Sequence, residues 1–171
     1  FEEYIRNLKL DNFLNIRASL ILKILLYSGA RRGELEALRT DNFIEDDELY
    51  IIHTIGKGDK ERTLYMPKEY IEKELLYYKI NNIKFIASTK STKIMDGSQI
   101  YRFLNNTYRK IGIKYTGAHI LRHTFAKSMI AKNVNILTVK ELLGHSSIQT
   151  TMIYTNPNQR EVQKAYLASI K

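Results

Sequence analysis

The stretch "GAHILRHTFAKSMIA" gathers two imidazoles and a guanidinium. Wound as a helix at about 100° per residue, it puts His119, Arg122 and His123 within about 100° of arc, while Leu121 and Phe125 point elsewhere and can pack. Two histidines four residues apart have the spacing of a zinc pair. No acidic residue stands between them as in H-E-x-x-H, however, and Arg122 repels a dication. An imidazole beside a guanidinium suits an anion instead, because both donate hydrogen bonds to a phosphate. "SGARRGELEAL" adds a further arginine, Arg31 or Arg32, where one helix ends and another begins. Helix starts carry unbonded N–H groups and favour anions. "GKGDKER" sets Lys57 between two glycines at a hairpin tip, where a flexible loop can carry an ammonium to a ligand. It is not a nucleotide-binding loop, since the G-x-x-x-x-G-K-[ST] pattern is missing. Finally, "LLGHSSIQTTMIYTN" holds Tyr154 nine residues after His145. Ile148 and Met152 make one apolar side of that segment, and Tyr154 falls roughly opposite, among Ser147, Thr150 and Thr151.

These residues need elements to hold them. "FEEYIRNL" reads as a short amphipathic helix, and a second covers about Phe13 to Tyr27, apolar at Leu14, Ala18, Ile21, Leu22, Leu25 and Leu26. Gly29 ends it, and Arg32 or Gly33 opens a short helix through Leu38. The period then changes. "NFIED", "ELYIIHTI" and "ERTLYMP" are short, β-branched and aromatic, and the last two flank the loop composition "GKGDK". They predict a small antiparallel sheet of three strands. Helical patterns resume at about Lys68–Tyr78, Ser98–Ile111, Ala118–Ala131, Leu137–Leu143, Ser147–Tyr154 and Gln159–Ile170. The fold class is therefore α+β, mostly α, rather than alternating α/β.

Composition narrows the partners. The chain has 171 residues, enough for one domain with a real core. Its 27 Lys and Arg outweigh 18 Asp and Glu for a net charge of +9, which suits a polyanion. No run of 18 apolar residues spans a membrane, and no basic helix face carries the exposed Trp or Phe of a membrane-surface binder. The opening residues are acidic and amphipathic, unlike a signal peptide. Starting at Phe1 rather than Met, the chain reads as a processed or excised fragment. The absence of cysteine removes disulfides, Cys-ligated zinc and thiol nucleophiles, and fits an intracellular protein.

Each motif is weak alone; their order is not. Arg in "LLYSGARRGELEAL", Lys in "IGKGDKER", H-x-x-R in "AHILRHTFA" and the Tyr that ends "LLGHSSIQTTMIYT" resemble the tyrosine recombinases, the phage integrase and Xer-type family, over nearly the whole chain. The resemblance implies a helical catalytic domain of the DNA breaking-rejoining type over residues 1–171, with the family's N-terminal core-binding domain absent from this chain. It assigns catalysis to Arg31, Lys57, His119, Arg122, His145 and the nucleophile Tyr154, with Glu34 orienting the first arginine from behind. Arg32, Lys60, Arg62 and His123 are expected to contact DNA. "TGAH" departs from the family's proline-containing turn before His119, which bears on how that helix begins.

On this resemblance Tyr154 attacks a backbone phosphate, forming a 3′-phosphotyrosyl bond and freeing a 5′-hydroxyl. A 5′-hydroxyl of another strand then reverses the step. The covalent bond keeps the phosphodiester energy, so neither ATP, catalytic metal nor other cofactor is implied. The implied partners are double-stranded DNA and further copies of the chain, as a tetramer on DNA. "NPNQREVQKAYLASI" would bridge copies, with Val162, Ala165, Tyr166, Ser169 and Ile170 on one side of a terminal helix; docking on its own domain is the alternative. The implied location is the cytoplasm, with the nucleoid. A type IB topoisomerase shares the covalent step, and a non-catalytic helical DNA-binding protein shares the charge. The "LGHSSIQTTMIYT" signature speaks against the first, and the presence of Arg31, Arg122 and Tyr154 against the second.

Overall fold

Helix α2 (Phe13–Ser28) is apolar nearly all round, and such a helix must lie inside. Leu20, Ile21, Leu22, Ile24 and Leu25 have no exposed surface in the computed structural model, which describes residues 1–56, 61–114, 117–145 and 147–153. At about 1.5–3 kcal/mol for each fully buried Leu or Ile, this helix is the main hydrophobic contribution to the first unit. The Asn12 side chain starts it by accepting the Asn15 amide at 3.1 Å, and Gly29 stops it in the left-handed region at φ 65°.

The described residues divide into two compact units, Phe1–Phe125 and Ala126–Lys171. In the first, α1 (Glu2–Arg6) leads into α2, and α3 (Arg32–Ala37) follows after a short turn. Strands β1 (Phe43–Asp46), β2 (Leu49–Ile55) and β3 (Glu61–Pro67) then form the three-stranded antiparallel sheet expected, in the order β1-β2-β3. Register puts Phe43, Ile52 and Leu64 in one row, with Tyr50 beside Met66; all five are buried. The opposite face shows Ile44, Ile51 and Tyr65, as the two-residue side-chain period demands. Helices α4 (Lys68–Ile80) and α5 (Gly97–Lys110) complete the core with Ile71, Leu75 and Tyr78, and with Ile100, Leu104 and Tyr108.

Residues 81–96, for which the sequence pattern shows no element, act as a backbone tie. Lys84 O accepts the Thr40 amide at 2.9 Å, the Ile86 amide reaches Leu38 O at 3.0 Å, and that of Met95 reaches Ala87 O at 2.8 Å. Arg17 of α2 donates to Ser88 O at 2.7 Å, its guanidinium 5.5 Å and 5.8 Å from the ring centres of Phe13 and Phe103. Between α2 and α4, buried Glu74 accepts from Ser19 Oγ and Lys23 Nζ, both at 2.5 Å.

Helix α6 (His119–Ala131) runs from the first unit into the second. Its start, left open by "TGAH", is set by α5: Tyr108 OH donates to Gly117 O at 2.7 Å and the Gly117 amide donates to Asn105 Oδ1 at 3.1 Å. Burial pushes the Tyr108 phenol's pKa up, which keeps it a donor. The second unit continues with α7 (Ile136–Leu143) and α8 (Gln149–Met152). The expected helix Ser147–Tyr154 is shorter over its described part, and the expected terminal helix Gln159–Ile170 lies outside the described residues.

Gly117 sits at φ 71°, where an L side chain is strained by about 1–2 kcal/mol. Gly117→Ala is expected to lower the urea midpoint without changing the slope of the transition. An unchanged midpoint would contradict this account of how α6 begins.

Candidate active site

The site begins with a problem of chain direction. α2 must end and α3 must start within three residues, and both helix ends carry unbonded backbone groups. Arg31 occupies the position before α3, and Glu34 reaches back to accept its amide at 2.7 Å. Arg31 has no side-chain acceptor, so only this returning half of a capping box forms. Its guanidinium Nη1 instead donates to Glu34 Oε1 at 2.8 Å.

Two more arginines arrive from distant elements. Arg62 of β3 donates Nη1 to Glu34 Oε2 at 2.5 Å and Nη2 to Gly29 O at a long 3.5 Å. Arg122 of α6 donates Nη1 to the same Gly29 carbonyl at 2.5 Å. Thus the end of α2, the start of α3, the sheet and α6 meet at one carbonyl and one carboxylate. Glu34 is 2% exposed and Arg122 6%, while the Arg31 side chain keeps 31% of its surface in solvent.

Two guanidiniums, those of Arg31 and Arg62, flank this carboxylate and decide its ionisation. Burial alone would push Glu34 up; the Arg31 amide, then the charge and hydrogen bond of Arg62, then the Arg31 side chain, bring it below its ordinary 4.5. Burial also lowers Arg62, with Glu34 opposing that shift. The arrangement can hold a phosphate through Arg31 and Arg122, because planar forks held on a buried carboxylate and a buried carbonyl present donors in set directions.

The other expected residues fall differently. His119 is exposed at the first position of α6, one turn before Arg122, and His123, the residue after Arg122, is partly exposed. His145 belongs to the second unit, just past Gly144, which ends α7 at φ 59°. Its amide donates to Lys140 O at 3.1 Å, and its Nδ1 shares a 2.8 Å hydrogen bond with Oγ1 of buried Thr151, fixing the ring's orientation. Lys57, Lys60 and Tyr154 lie outside the described residues. Arg62, expected to face DNA, is instead buried against Glu34, its side chain only 7% exposed. Among the described residues, no three His, Asp or Glu side chains are grouped to hold a metal ion.

One surface went unread in the sequence. Exposed Arg32 donates to Gly97 O at 3.1 Å and borders a cavity of about 420 Å³ with Ser98, Tyr101, Arg102, Asn105 and Arg109 of α5. α5 buries Ile100, Leu104 and Tyr108 and turns Arg102, Asn105 and Arg109 to the other side. The signal was available: a cationic and amide stripe at helical spacing opposite the apolar one.

A mostly helical domain with a small three-stranded antiparallel sheet matches the catalytic domains of solved tyrosine recombinases. The chain belongs to the phage integrase family, which it matches over residues 2–161. It is 35% identical over 147 residues to the tyrosine recombinase XerH of Campylobacter jejuni, covering 82% of this chain and 41% of that protein. It is 29% identical to XerH of Helicobacter pylori, covering 96% and 48%. The chain thus spans about half the length of these relatives. Among solved structures, XerH site-specific recombinase bound to difH substrate in a pre-cleavage complex is 26% identical, with a TM-score of 0.82 over 96% of this chain and 50% of that one. XerA recombinase is 30% identical, with a TM-score of 0.75 over 99% and 64%. No helix among the described residues is long and apolar enough to cross a membrane.

Glu34 gives a pH test. Its folded pKa lies below the unfolded value, so the unfolded chain binds more protons at acid pH and stability rises with pH. Its contribution is complete above about 4.5 and is lost as pH falls through the folded value. Thermal unfolding followed from pH 6 downward is expected to fall less steeply in Glu34→Gln than in the unsubstituted chain. Parallel curves would show that Glu34 is not held ionised by its arginines.

Proposed function

We propose that this chain is the catalytic part of a site-specific DNA recombinase that cleaves and rejoins strands through a 3′-phosphotyrosyl intermediate. The observation that carries this reading is the common anchoring of Arg31 and Arg122 on the Gly29–Glu34 turn, in a member of the phage integrase family. Two forked cations set by buried acceptors are what a pentavalent phosphoryl transition state requires, because its non-bridging oxygens gain charge.

In this mechanism Arg31 and Arg122 clamp the non-bridging oxygens. Tyr154 attacks phosphorus; its ordinary pKa of about 10 makes it a poor nucleophile at neutral pH, so its proton must be drawn off, with His119 as the acceptor. Lys57 gives a proton to the departing 5′-oxygen, and His145 donates to the phosphate. The step is then reversed by a 5′-hydroxyl from a second strand. Glu34 positions Arg31. Arg32, Lys60 and His123 contact the duplex outside the reacting phosphate. The α5 stripe joins them: Arg102, exposed on this helix, suits a guanine edge of a major groove. Double-stranded DNA is the substrate, and four copies assemble on it through the terminal segment, in the cytoplasm with the nucleoid. XerH is itself described bound to its difH substrate, which supports a DNA site as the ligand here.

A labelled duplex nicked just beyond the scissile phosphate loses the short strand that would rejoin, so a covalent complex accumulates. The expected result is a denaturant-resistant protein–DNA band with the intact chain, none with Tyr154→Phe, and formation slowed by on the order of a hundredfold or more in Arg122→Ala. A band that persists in Tyr154→Phe would overturn the assignment of the nucleophile.

A further inference from the structure

Arg62 is not needed by the mechanism above, yet it is among the most deeply placed cations of the chain. Its guanidinium spans two acceptors from two elements, Glu34 Oε2 of α3 at 2.5 Å and Gly29 O at the end of α2 at 3.5 Å. A surface phosphate contact would have no reason to be 93% buried on an internal carboxylate, its side chain only 7% exposed.

We propose that Arg62 is a positioning residue of the phosphate clamp: it occupies one oxygen of Glu34 and thereby keeps the Arg31 guanidinium from closing onto both. This inference rests on the reading of Arg31 as a phosphate ligand. Arg31 uses Nη1 on Glu34 Oε1, while Oε2 is shared by the Arg31 amide and Arg62 Nη1. Carboxylate and guanidinium frequently form a two-bond fork when both oxygens are accessible. Without Arg62, Oε2 opens, the fork closes, and Arg31 is drawn away from a phosphate. The site would also hold one positive charge fewer to offset an incoming phosphate.

The position of Arg62 adds a second consequence. It is five residues beyond Lys57, near the start of the strand that leaves the hairpin tip. The bond to Glu34 therefore ties the base of that hairpin to the arginine turn. A lysine could match the charge but not the two-acceptor span, because its ammonium is a single point on a flexible stem.

The test compares single-turnover cleavage of the nicked duplex by the unsubstituted chain, Arg62→Met, Arg62→Lys, Glu34→Gln and the double substitution Arg62→Met/Glu34→Gln, with duplex affinity measured in parallel. Arg62→Met is expected to slow covalent-complex formation about a hundredfold while leaving duplex affinity nearly unchanged. Arg62→Lys falls between. The double variant is expected to be about tenfold faster than Arg62→Met, because an amide no longer draws Arg31 inward. A merely structural Arg62 predicts the reverse, with the double variant as slow as Arg62→Met or slower. That result would overturn the proposal, as would wild-type cleavage by Arg62→Met. If Arg62→Met does not fold, Arg62→Lys with and without Glu34→Gln carries the same comparison. Carboxyl NMR of Glu34 gives a readout independent of cleavage. Its titration is expected to move up in Arg62→Met, or in Arg62→Lys if the Met variant does not fold, and an unmoved titration counts against Arg62 as its partner. An upward shift together with no covalent complex from the unsubstituted chain would leave the Arg62–Glu34 pairing standing and remove the recombinase reading instead.

Discussion

The Gly29 carbonyl and the Glu34 carboxylate are the point on which the described site depends. A helix that ends at Gly29 exposes a carbonyl, and the burial of α2 means no solvent is at hand to satisfy it. Arg122 does so at 2.5 Å from a helix 93 residues later in sequence. Glu34 then offsets the positive charge that this brings inside. A buried carboxylate alone would be costly, and buried guanidiniums alone more so. Held together, they leave a cationic turn whose Arg31 reaches solvent while its neighbours do not. Rigidity of this kind suits electrostatic catalysis, since donors fixed before the reaction need no rearrangement during it.

Much of this architecture was legible in the chain itself. The apolar run Ala18–Leu26 announces a buried helix, and alternating β-branched residues on either side of "GKGDK" announce the hairpin. The Gly-Ala-Arg turn and H-x-x-R are readable because their chemistry is local in sequence. Arg62 is not, because "KER" after a hairpin tip looks like solvent-facing charge; only the fold shows that β3 delivers its alternate side chain onto Glu34. The segment 81–96 escaped for a related reason. It has no helical or strand period, being held by single backbone bonds to Leu38 and Thr40, with bonds of its own such as that between Met95 and Ala87, rather than by a repeating ladder. Gly117 also lies beyond local reading, as its positive φ is fixed by Asn105 and Tyr108 from another helix.

The surplus of positive charge acquires a geography. Some of it is spent internally on Glu34 and Gly29, at Arg62 and Arg122. Some lies on the exposed side of α5, where Arg102 and Arg109 flank Asn105 beside Arg32. The acidic stretch Glu45–Glu48 is exposed at the β1–β2 turn, and Glu45 there pairs with Lys68 and Lys79. Net charge therefore understates the contrast between surfaces, and a local cationic face steers a polyanion better than a diffuse one.

The central claim is that Arg31 and Arg122 neutralise charge on the reacting phosphate. Its most direct test replaces one non-bridging oxygen of that phosphate with a methyl group, making the position electrically neutral, and measures cleavage by Arg122→Ala on both substrates. If the arginine's task is charge neutralisation, Arg122→Ala is expected to recover much of its lost rate on the neutral duplex, with Tyr154→Phe inactive on both. An Arg122→Ala variant equally impaired on the charged and the neutral duplex would contradict it, leaving Arg122 as a pin for the Gly29 turn and no more.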